Sequence, residues 1–134
     1  MAHDAYGKRI LREATQDMVE RVGPSVEINY GTRFRARIDG AAGDVAIELE
    51  ARVGKQVRGA ILDLICDPLP KKLLVIMPVK QVGKDVPEQC KNVLAKFVPE
   101  ADFQVVVLKG HGHDERPGED SKIIADALSR FAKG

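Results

Sequence analysis

The run Leu73-Leu74-Val75-Ile76-Met77 constrains this chain more than any other feature, because it is apolar at every position. Successive side chains of a strand point to opposite faces, so a continuously apolar strand must be covered on both sides. That is the condition of a strand inside a parallel sheet sandwiched by helices. Phe103-Gln104-Val105-Val106-Val107-Leu108 repeats the signal, and helical spacing fills the interval near Pro87 to Phe97. Ser121 to Phe131 then reads as a last helix.

Upstream the pattern changes. Ile10, Ala14, Met18 and Val22 recur at i, i+4 spacing, which predicts a first helix from about Ala5 to Val22, stopped by Gly23-Pro24. Val26-Glu27-Ile28-Asn29 and Phe34-Arg35-Ala36-Arg37-Ile38 alternate on either side of Tyr30-Gly31-Thr32, as two hairpin strands do. Gly40-Ala41-Ala42-Gly43 reads as a turn, and Asp44 to Arg52 as a third strand with Val45, Ile47 and Leu49 on one side. Val57, Ala60, Ile61, Leu64 and Ile65 form a second helix that ends before Pro68 and Pro70. The order is αβββαβαβα. It predicts one α/β domain over residues 1–134, with a meander of roughly 25–52 and the two apolar strands joined in a central mixed sheet, flanked by helices. At 134 residues and 44% hydrophobic the chain supplies one core and no second one.

Charge excludes more than it selects. The 21 basic residues nearly cancel the 20 acidic ones, so any nucleic-acid site must be local rather than a global field. No apolar run is long enough to span a bilayer, and the opening MAHDAYGKRILREATQ lacks the apolar stretch of a signal peptide, which predicts a cytoplasmic protein with no membrane partner. Cys66 and Cys90 have no CxxC spacing and no adjacent histidine, and are read as helix packing residues. Aromatics, at 4%, are too sparse for a base-stacking platform. No GxxxxGK[ST], GxGxxG or GxSxG occurs, which leaves ATPase, dinucleotide and serine-hydrolase readings without their machinery.

The chemistry concentrates on the third strand. Period-2 geometry puts Glu48 and Glu50 on one face, roughly 7 Å apart by Cα, and Asp39 comes from the end of the preceding strand. Three converging carboxylates suit Mg²⁺ or Mn²⁺, hard cations that take oxygen ligands plus water and phosphate, and do not suit zinc. An ExE alone is also what the solvated face of an edge strand presents, paired with arginines. The surrounding order is what sets this one apart: helix, meander carrying Asp then ExE, helix, apolar strands.

On those residues, roughly 5 to 110, the chain resembles the restriction-endonuclease-like, or PD-(D/E)XK, nuclease superfamily. The resemblance implies that Asp39 is the first acid of the motif and Glu48 the second, and puts Glu50 where the family usually holds a lysine. Ile38 stands in place of the proline. Glu13 on the first helix matches the region where members place an additional metal-binding acid, and Gln56 a polar position near the metal. The implied activity is hydrolysis of DNA phosphodiester bonds, with Asp39, Glu48 and Glu50 catalytic and Asp39, Glu48 and Glu13 holding Mg²⁺. Arg52, Lys55 and Gln56 would contact substrate, Arg52 or Lys55 supplying the positive charge that Glu50 does not. A domain this small, with no appended recognition module, is expected to act as a homodimer or beside a separate specificity subunit. The alternative is a catalytically degenerate module of the same fold that serves in DNA binding or protein assembly.

Two further stretches carry charged or metal-ligating side chains. Arg33, Arg35 and Arg37 share a strand face, either as a phosphate-binding stripe or as a charged edge that blunts aggregation. His111, His113, Asp114 and Glu115 could bind Zn²⁺, Ni²⁺ or Cu²⁺, but with only a glycine between the histidines and no third one except His3, residues His111 to Asp120 read as a long solvated loop.

Overall fold

A computed structural model describes residues 2–15, 27–31, 35–51, 55–78 and 85–133. It is α/β, with a mixed four-stranded sheet between two layers of helices. The elements are α1 (Ala2–Thr15), β1 (Glu27–Asn29), β2 (Arg35–Arg37), β3 (Gly40–Ala42), β4 (Val45–Glu50), α2 (Lys55–Cys66), β5 (Lys71–Ile76), α3 (Val86–Leu94), β6 (Phe103–Val107) and α4 (Pro117–Lys133). The sheet runs β3-β4-β5-β6, antiparallel at β3–β4 and parallel at β4–β5 and β5–β6.

β5 is the centre, and its sequence explains why. Leu73 and Val75 pack with Tyr6, Ile10 and Ile124 on the α1/α4 side, while Leu74 and Ile76 pack with Ala60, Leu64 and Leu94 on the α2/α3 side. All four strand residues are fully buried. Each such side chain contributes about 1.5–3 kcal/mol of transfer free energy, so a polar residue anywhere in this run would be costly.

Two expectations are corrected. Gly40-Ala41-Ala42, read as a turn, is the short edge strand β3, and the turn is at Gly43-Asp44, where Gly43 takes φ +60°. The hairpin β1–β2 does not continue into the same sheet as β3–β4 but forms its own two-stranded ribbon, with Ile28 packed into the α2/α3 core. The bend at Ile38-Asp39 separates the two, because Ile38 is drawn into that core while Asp39 bonds sideways to β4. The proposed extension of α1 to Val22, as well as Arg33 and Arg52, lies outside the described residues.

The loop from His111 is solvated as expected, with residues 113–119 exposed, but it is shorter than residues 111–120. α4 begins at Pro117, in keeping with proline's preference for the first helical turn, and the segment before it is tied down. Asp120 is wholly buried and accepts hydrogen bonds from Tyr6 Oη (2.6 Å), Lys109 N (2.6 Å) and Gly110 N (3.0 Å). Tyr6 Oη in turn accepts from Arg116 N at 2.9 Å. Cys90 is buried as expected, but Cys66 is exposed and does not pack in the core.

Candidate active-site cleft

β3 is too short to cover β4 along its whole length, and the site grows from that mismatch. The antiparallel ladder ends with Gly40 opposite Ile47. Continued, it would give the Leu49 N–H a backbone carbonyl on the neighbouring strand. Instead Leu49 N donates to Asp39 Oδ2 at 2.7 Å, and Asp39 N donates to Glu48 Oε1 at 2.8 Å. The two acids are thus cross-tied, each holding the other's segment, and their carboxyl groups come close enough to share a proton.

A cleft of about 590 Å³ opens beside this pair at the carboxyl end of β4. In open α/β sheets that end is where ligands are held. Asp39, Glu48, Glu50 and Arg37 line it from the strands, and His3, Asp4 and Lys8 line it from α1. α1 reaches the strand ends because position 7 is glycine: a Cβ there would lie 2.8 Å from Met77 Cε and 3.2 Å from Leu49 Cδ2.

The acids are electrostatically uncomfortable. Glu48 is 7% exposed, and burial, followed by the charge of Asp39, pushes its carboxyl up to about 9, although the Asp39 N–H pulls the other way. Asp39 meets solvent on its cleft side, yet protein crowds it enough that burial raises it as well. The Leu49 N–H and the Lys8 ammonium oppose that rise. Two carboxylates in contact cannot both ionise cheaply without a proton or cation between them. The structure reached this burial in a way the sequence did not announce: Glu48 lies on the same face of β4 as Ala46, which α2 covers, so the face that carries the acids is half core.

The remaining sequence candidates fall in different places. Glu13 is exposed on α1 and does not line the cleft; at 3.6 residues per turn it stands roughly 140° around the helix from Lys8. This departs from its expected place at the metal. Lys55 and Gln56 lie in the first turn of α2, and their side chains are not among those described. Of the arginine stripe, Arg37 lines the cleft. Reasoning from sequence missed Lys8, Asp4 and His3. The signal for them was present in the helix: positions 4, 7, 8 and 11 share a face, and glycine at 7 marks a close approach.

An oxygen-only pair of acids fits Mg²⁺ or Mn²⁺, which are commonly held by one or two carboxylates with water and substrate phosphate completing the shell. Among the described residues no group of three or more His, Cys, Asp or Glu side chains is placed to hold a metal ion, so a cation here would rest on Asp39 and Glu48 rather than on a full protein cage. No helix among the described residues is long and apolar enough to cross a membrane. No family model, curated protein or solved structure matches the chain.

Proposed function

We propose that this chain is a divalent-metal-dependent nuclease of the restriction-endonuclease-like kind that hydrolyses DNA phosphodiester bonds. The observation that carries the reading is the cross-tied Asp39–Glu48 pair on the wall of an open cleft. Asp39 and Glu48 would hold Mg²⁺ or Mn²⁺. A bound cation would polarise the scissile phosphoryl group and acidify a water. The chain's own part is preparation. The backbone donors fix one oxygen of each acid, and the mutual repulsion makes the pair receptive to a positive charge. Glu50, on the same strand face, accepts a proton from an attacking water. Lys8 supplies, from α1, the positive charge that Glu50 does not, and attracts a phosphate to the cleft. A homodimer would present two such clefts, one for each strand of a duplex.

Purified protein is incubated with supercoiled plasmid, linear duplex and single strands in Mg²⁺ or Mn²⁺. Wild type is expected to cut, and Glu48→Ala to fall to background while retaining its circular dichroism spectrum. Equal residual nicking by both proteins on every substrate would sink the enzyme reading. One observation favours a second reading, a catalytically degenerate module that binds DNA: the glutamate at position 50 and the two-acid donor set leave the site short of the full catalytic complement. DNA binding that survives without metal, in protein that does not cut, is the result that selects it.

A further inference from the structure

We propose that His3, His111 and His113 form a pH-sensitive clasp that fastens the start of α1 to the 109–116 loop and thereby fixes one wall of the cleft. The three imidazoles meet edge-on. Ring centroids lie 5.4 Å apart for His3 and His111, 5.2 Å for His3 and His113, and 6.3 Å for His111 and His113. Two of the rings are committed as acceptors: Gly112 N donates to His3 Nδ1 at 3.0 Å, and His113 N donates to His111 Nδ1 at 3.1 Å. An imidazole accepts there only while Nδ1 carries no proton, so both bonds require the neutral ring. Protonation sets N–H against N–H and adds like charges at ring-contact distance.

The backbone is shaped for this contact. A Cβ on Gly112 would lie 2.4 Å from the carbonyl carbon of Ala2 and 2.6 Å from His3 N, so the loop and the helix start meet closely only because residue 112 has no side chain. The surroundings offer little to neutralise an imidazolium. His111 and His113 face His3 from the loop and Asp4 from its own helix; burial first, then the two imidazoles, hold His3 below its usual value, and Asp4 acts against them. Lys8 adds positive charge further along α1, and Asp39, Glu48, Glu50 and Arg37 share the cleft walls with His3. On the loop Asp114 is paired with Arg116 and Glu115 with Arg9, and the Asp120 carboxylate of α4 is taken up by Tyr6, Lys109 and Gly110.

The sign follows from the depressed value of His3. The clasp contributes its full stability above the unfolded imidazole value of 6.5 and loses it as pH falls below that. Acid therefore releases the start of α1, taking Asp4 from the cleft wall, whatever the cleft binds. The inference does not depend on nuclease activity.

Amide exchange of the full chain, followed by NMR at pH 7.5 and 5.5 and corrected for intrinsic rates, tests it. The Gly112 amide is expected to lose protection by up to about tenfold at the lower pH, while the amides of β5 keep theirs. His3→Gln, which offers a neutral acceptor at every pH, is expected to keep Gly112 protected at pH 5.5. Independently of any variant, the wild-type Cε1–H resonance of His3 is expected to titrate below 6.5. Unchanged Gly112 protection in wild type, or a His3 midpoint at or above 6.5, overturns the proposal.

Discussion

Two of the acids buried among the described residues, Asp120 and Glu48, are treated in opposite ways. Asp120 is wholly enclosed, yet each demand of its charge is met by a donor: a phenol hydroxyl and two backbone N–H groups. Glu48 is nearly as buried, but its neighbour is another acid. Burial of a charge is tolerable when hydrogen bonds replace its water, and unstable when the nearest partner carries the same sign. The first arrangement holds the chain together. The second favours a proton or a cation between the two acids, and perturbed acids of this kind cluster at functional sites.

That contrast can be broken by substitution, and the largest effect on stability is expected at Asp120. Asp120→Ala leaves Tyr6 Oη and two backbone N–H groups buried without an acceptor, which costs about 3–4 kcal/mol and lowers Tm by about 10–15 °C, measured by differential scanning calorimetry. A loss below about 1 kcal/mol would show that water reaches those donors and that the comparison is false.

The opposite sign is expected at Glu48. In metal-free protein at pH 8, Glu48→Gln keeps an acceptor for the Asp39 N–H and removes the enforced protonation, a gain of about 1–3 kcal/mol. The pH dependence sharpens this. Because the folded-state value of Glu48 is raised to about 9 from an ordinary 4.5, its contribution is full below 4.5 and is lost as pH rises through 9. Metal-free wild type is therefore expected to unfold at lower urea concentration at pH 9 than at pH 5, and Glu48→Gln to flatten that slope. Equal slopes would mean that neither burial nor the charge of Asp39 raises Glu48 in the folded chain.

The smallest of the three effects is expected at Tyr6. Tyr6→Phe removes one of three donors from Asp120 and the acceptor of the Arg116 N–H while leaving the ring packed, at about 1–2 kcal/mol. A chemical denaturation series with Asp120→Ala and the double variant should show strong coupling, since both act on one network.

How much of this was legible in the sequence follows from the range of the forces involved. The continuous run at residues 73–77 announced a strand covered on both faces, because burial on two sides leaves a mark at every position. That Asp39 and Glu48 are neighbours was legible because strand period and a short turn bring them together locally, whereas Glu50 lines the same cleft without joining them in a three-acid group. β3 was not, since three small residues carry no period. The face of α1 that meets the cleft left a local mark, Gly7 on the face of Asp4, Lys8 and Leu11, but its partners, Leu49 and Met77, lie far along the chain and no local pattern names them. The loop before Asp120 is exposed, as its composition announced, but Asp120 itself looked solvated because its polar partner is Tyr6, 114 positions away. Pro117 with Glu119 and Asp120 was nonetheless a helix-start signature that a closer reading would have used.

The Tyr6–Asp120 bond also bears on the order in which the molecule assembles. α1 is the earliest of the described elements to leave the ribosome, but the apolar side it turns inward, Tyr6, Ile10 and Leu11, is completed by Ile124, Ala127 and Phe131 of the last helix. Closing so long a loop is entropically expensive and is deferred until most other contacts exist. This side of α1 also packs on Val45, Ile47, Leu73 and Val75 of the sheet, so what waits for α4 is the part of the stripe that Ile124, Ala127 and Phe131 cover, and until then that part is the surface a chaperone or a neighbouring nascent chain would find.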